Sequence, residues 1–86
     1  MVSPESLQLL VSRKIPDSRV FVRTFQGADH FEMLVVSPAF AGKSRIAQHR
    51  MVYQALGEHL QQHIHALVLK TCTPEQWAQT VNKEQK

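Results

Sequence analysis

Five histidines and one cysteine are the side chains of this 86-residue chain best suited to hold a metal or to move a proton: His30, His49, His59, His63, His65 and Cys72. His63 and His65 stand two apart, the spacing that puts two side chains on one face of a strand, so they form a metal pair if the strand begins before His63. His65 alternates with Ile64 and Ala66 and points away from whichever face those two occupy. From type and spacing alone, a hydrogen-bonding residue on a half-exposed strand is the better reading and a ligand the lesser one. His30 opens another strand-like segment and is either a ligand or a solvated residue. His49 lies between Ile46 and Tyr53 on a helical apolar stripe and reads as a core histidine held by a hydrogen bond. For His59 and His63, near that helix's end, attraction to the helix dipole is sufficient reason.

Cys72 precedes a helix start at Thr73-Pro74, where a thiol can become nucleophilic or metal-binding, although a bystander thiol is the better reading. One cysteine forms no intramolecular disulfide and suits a reducing compartment. Nor can it hold an iron–sulfur cluster alone, because such clusters normally take four protein ligands, mostly thiolates. A metal role must use histidines, a partner chain, or both.

The formal charge is +3, and Lys43, Arg45 and Arg50 lie in a stretch without an acid. Such a patch can contact phosphates in a salt-sensitive way, or be a solvated face or a docking surface for an acidic partner. Ala41-Gly42-Lys43-Ser44 looks like the tail of a phosphate-binding loop, but that motif needs a glycine where Ser37 stands. Nothing assembles a nucleophile, a base and an orienting group, so no enzyme is expected. A domain of this length has a thin core, in which a closed cavity for a small-molecule substrate is hard to fit.

The elements that must position these residues are marked by local signals. Ser3-Pro4-Glu5 starts a helix with Leu7, Leu10 and Val11 on its inner stripe, stopping near Lys14 because Pro16 disfavours helical geometry at Ile15. Arg19 to Thr24 and His30 to Ser37 read as two strands of an antiparallel hairpin. Ser37-Pro38 predicts a short helical turn ending at Gly42. Ser44 caps the longest helix, expected to reach Gln61 with Ile46, His49, Tyr53, Leu56 and Leu60 as its inner face. Ile64 to Lys70 is a third strand, and Thr73-Pro74-Glu75-Gln76 is a capping box for a last helix anchored by Trp77.

The expectation is one α+β domain over residues 1–86, in the order α-β-β-α-α-β-α, with residues 1–2 and 80–86 frayed. A three-stranded sheet should carry its helices on one face. No apolar run approaches the roughly 18 residues of a membrane span. No secretory signal opens the chain, so a cytoplasmic location is expected, or an organellar one if a transit peptide has been removed.

The strings FAGKS, QHRMVYQAL, IHAL and TPEQW, in this order within Val35 to Trp77, resemble the BolA-like family. The resemblance implies a fold similar to a class II KH domain without its GxxG loop, and no catalytic activity. It implies a monothiol (CGFS) glutaredoxin partner, with or without a 2Fe-2S cluster shared with that partner and glutathione, in iron–sulfur trafficking or iron sensing. It makes His65, in the intact IHAL string, a cluster ligand. His30, in the turn GADHF, corresponds to the histidine-type hairpin turn of one branch of the family and becomes a second or alternative ligand. Some bacterial members are described as transcriptional regulators. The alternative reading is therefore a nucleic-acid-binding regulator, possible DNA being met by Lys43, Arg45 and Arg50.

Overall fold

The computed structural model describes residues 3–25, 30–59 and 66–84. Helix α1 (Pro4–Lys14) begins at a reciprocal capping box. Ser6 N–H donates to Ser3 Oγ and Ser3 N–H donates to Ser6 Oγ, both at 3.1 Å. Leu7 and Val11 are fully buried, and Ile15 ends the helix in extended geometry ahead of Pro16. Asp17 then adopts a positive φ of 51°, a region that aspartate tolerates better than most residues.

Strands β1 (Arg19–Thr24), β2 (His30–Val36) and β3 (Ala66–Cys72) form one sheet in the order β1-β2-β3. The β1–β2 hairpin is antiparallel, as expected, and β3 runs parallel to β2 at the sheet edge. The strict alternation of side chains divides the sheet cleanly. Val20, Phe31, Met33 and Val35 face the core, whereas Phe21, Leu34 and Lys70 belong to the second face.

A parallel neighbour requires a long crossover. A 3-10 turn at Pro38–Phe40 begins it and helix α2 (Arg45–Leu56) continues it. Buried Ser37 fixes the turn: its Oγ accepts from Ala39 N–H at 3.1 Å and donates to Pro16 O at 2.7 Å. Ser44 Oγ caps α2 by accepting from Ala47 N–H at 3.1 Å.

Two expectations about α2 need correction. It ends at Leu56 rather than Gln61, because Gly57 takes a positive φ of 57° while its N–H closes on Tyr53 O at 3.0 Å. Its inner face is also rotated: Gln48, Val52, Ala55 and Leu56 are buried, while Ile46 is 72% exposed and Tyr53 40% exposed. The expected stripe left out Gln48 because of its polarity. Hydrogen bonds on both ends of its amide admit it to the core.

Helix α3 (Pro74–Glu84) carries the expected capping box, with Thr73 N–H donating to Gln76 Oε1 at 3.0 Å and Gln76 N–H to Thr73 Oγ1 at 3.3 Å. Helices α1 and α2 share the core face. Helix α3 reaches over the second face, where Trp77 stacks on Phe21 with ring centroids 5.6 Å apart. Val36, a second-face residue, is buried and borders a hollow that Pro74 and Trp77 of α3 also line. The α+β class, the three-stranded sheet and the element order are as the sequence predicts, but the expectation of helices on one face is corrected: α3 crosses to the second face because Trp77 finds its apolar partner in Phe21 there. No helix among the described residues is long and apolar enough to cross a membrane.

Candidate functional site

Two regions hold the residues singled out by type. The first is the hairpin end of the sheet. His30 is the first residue of β2, half-buried, with its ring 5.8 Å from that of Phe25. Phe25 N–H donates to His30 O at 2.9 Å, closing the hairpin. Across the parallel ladder, the register partner of His30 is Ala66, the residue that follows His65 in the chain. His65 and His63 themselves lie outside the described residues.

Cys72 belongs to the opposite end of the sheet, paired with Val36. Because β3 spans seven residues, about 20 Å of strand separates Cys72 from Ala66, too far for the thiol and His30 to share one metal ion. Burial pushes the Cys72 thiol above its ordinary pKa, the reverse of what a helix start would do to an exposed thiol. Both observations favour the bystander reading. Among the described residues, no three His, Cys, Asp or Glu side chains come together to hold a metal ion. The described donors therefore suit a metal group only when other ligands complete the set.

The second region is a groove of about 600 Å³ between α2, β3 and α3. Arg45 and His49 from α2, Lys70 and Leu34 from the sheet, and Trp77 and Thr80 from α3 line it. A hollow beside it adds Lys43. The expected basic patch is thus only partly assembled. Lys43 and Arg45 come together, but Arg50 lies five residues beyond Arg45, about 140° around the helix, and does not line the groove. Lys70, which sequence reading passed over, takes its place. His49 is half-buried beside the groove, edge-on to Tyr53 at 6.3 Å, rather than enclosed in the core.

Gln48 fixes this arrangement. Its Nε2 donates to Phe40 O at 3.2 Å and to Lys43 O at 3.0 Å, while its Oε1 accepts from Thr71 Oγ1 at 2.7 Å. One amide thereby ties the loop carrying Lys43, the start of α2 and strand β3 together. Its only sequence signal was its distance of four residues from Val52.

Such a molecule is a small α+β protein with imidazole donors and a basic groove at separate places. The family model described as BolA-like protein matches residues 8–76. The chain is 47% identical over 55 residues to the DNA-binding transcriptional regulator BolA of Vibrio cholerae, covering 64% of this chain and 51% of that protein. It is 52% identical over 50 residues to mouse BolA-like protein 2, covering 58% and 57% of the two chains. The chain thus spans about half the length of the curated relatives it matches. Among solved structures, a bolA protein homologue from Coxiella burnetii superposes with a TM-score of 0.73 at 39% identity, covering 91% of this chain and 99% of that one. The chain belongs to the BolA-like family.

Proposed function

We propose that this protein is a non-enzymatic adaptor that binds a monothiol glutaredoxin and shares a 2Fe-2S cluster with it, in iron–sulfur trafficking or iron-dependent regulation. The observation that carries the reading is the pairing of His30 with Ala66, the neighbour of His65 in sequence. His30 thus stands at the sheet end where the chain enters β3, directly after His65 in sequence, and the only thiol, Cys72, is at the other end of that strand.

A cluster bound there would supply one-electron chemistry or be handed on as cargo. Its thiolates would come from the glutaredoxin and from glutathione. His65 and His30 would provide neutral nitrogen donors, which can replace thiolate on one iron of such a cluster and raise its potential. A share of the coordination held by imidazole is more labile and more pH-sensitive than one held by a cysteine in the hairpin turn. The test is to mix the protein with a cluster-loaded CGFS glutaredoxin. A changed visible circular dichroism spectrum and co-elution on gel filtration are expected. An unchanged spectrum without co-elution contradicts the reading.

A second reading, nucleic-acid binding, has its own support. The Vibrio cholerae relative is named a DNA-binding transcriptional regulator, and in this chain Arg45 and Lys70 line one groove with Lys43 in the hollow beside it. Binding should weaken steeply with salt and on neutralising Arg45. The two roles use different residues and are compatible in one molecule.

A further inference from the structure

We propose that the groove between α2, β3 and α3 binds single-stranded nucleic acid, with a base against Trp77 and neighbouring phosphates held by Lys43, Arg45 and Lys70. This rests on the nucleic-acid reading and specifies the form of the ligand and its place.

The lining carries the argument. Three cations and no acidic residue stand around the groove and its adjoining hollow among the described residues. The charges come from three parts of the fold: Lys43 from the loop before α2, Arg45 from the first turn of α2, and Lys70 from the edge strand. Their common location is a built feature, because the Gln48 amide bonds to Lys43 O on one side and to Thr71 Oγ1 on the other. The apolar part is equally organised. Trp77 stacks on Phe21, which holds the indole in place, and Leu34 lies beside it on the sheet.

An aromatic platform bordered by cations is the arrangement that binds unpaired bases and their backbone, since every base has a π-face and every linkage a negative charge. A duplex hides its bases from such a platform. Its cylinder, roughly 20 Å across, also does not enter a concavity of about 600 Å³. An acidic peptide would satisfy the cations but would make no use of the indole. Thr80 and the half-buried His49 add polar contacts at the rim.

Trp77 is the only tryptophan in the chain, so its emission reports the site directly. The experiment titrates the full chain with a dT octamer, a duplex of equal length and poly-glutamate, in about 20 mM salt. The proposal expects saturable quenching of Trp77 by dT, stronger than by duplex or poly-glutamate. Affinity should fall about 20-fold between about 50 and 200 mM salt if three phosphates are neutralised. Lys70→Ala should weaken dT binding about fivefold, and Arg50→Ala less than twofold. Trp77→Phe, checked for folding by far-UV circular dichroism and followed by anisotropy of labelled dT, should keep the salt slope while weakening binding severalfold. Tight duplex binding that needs Arg50, ignores Lys70→Ala and leaves Trp77 unquenched overturns this inference but leaves the nucleic-acid reading standing. Equal quenching by poly-glutamate overturns it in favour of an acidic protein segment. Absence of binding to either nucleic acid at low salt overturns both the inference and the reading beneath it.

Discussion

The hairpin end of the sheet and the groove on its far flank are built on opposite principles. At the hairpin end, His30 opens β2 with its ring beside that of Phe25, and no three metal-ligating side chains come together among the described residues. In the groove, a buried glutamine bonds three separate segments before any ligand arrives. A site of the first kind gains its chemistry from whatever docks on it. A site of the second kind is complete in the folded chain, and its cost is met during folding.

That contrast breaks most sharply at Gln48. Gln48→Ala removes the partner of Thr71 Oγ1 and of the Lys43 carbonyl, while Phe40 O keeps its bond from Lys43 N–H, and should cost about 2–3 kcal/mol in urea unfolding. A loss below 0.5 kcal/mol would show that the groove is not held this way. Trp77→Ala comes next. It removes the Phe21 stack, and should cost about 1–2 kcal/mol. His30→Ala, at the other region, should cost less than about 1 kcal/mol while altering the cluster-dependent spectrum. If it unfolds the protein, His30 is a structural residue and the contrast collapses.

The smallest effect concerns Cys72. Because burial raises its folded-state pKa, its contribution is fully present below the unfolded-state value and is lost as pH rises through the folded value. Stability should therefore decline above about pH 8.5, the pKa of an unconstrained thiol, by more in the wild type than in Cys72→Ser. Iodoacetamide should also alkylate the folded chain more slowly than the unfolded one at pH 8. Equal rates would contradict the burial.

Legibility in the sequence followed the range of the forces involved. The caps at Ser3, Ser44 and Thr73 and the stop at Pro16 act over three or four residues, and each is where its local signal predicted. The inner face of α2 was misread because the burial of Gln48 depends on Phe40, Lys43 and Thr71, the last of them 23 residues away. Gly57 was a readable stop that the longer apolar stripe overrode. Lys70 joins the groove only through the parallel pairing of β3 with β2 and the crossing of α3, neither of which any short window encodes. His30 was singled out through the resemblance of its turn, whereas its register opposite Ala66 follows from the parallel pairing of β3 with β2.

The central claim is that this chain contributes imidazole to a shared cluster. Its most direct test is a visible circular dichroism titration of cluster-loaded monothiol glutaredoxin with wild type, His30→Ala and His65→Ala. The account predicts new bands with wild type, weakened bands with His30→Ala and their loss with His65→Ala, each variant remaining folded. Identical bands from all three proteins would contradict it.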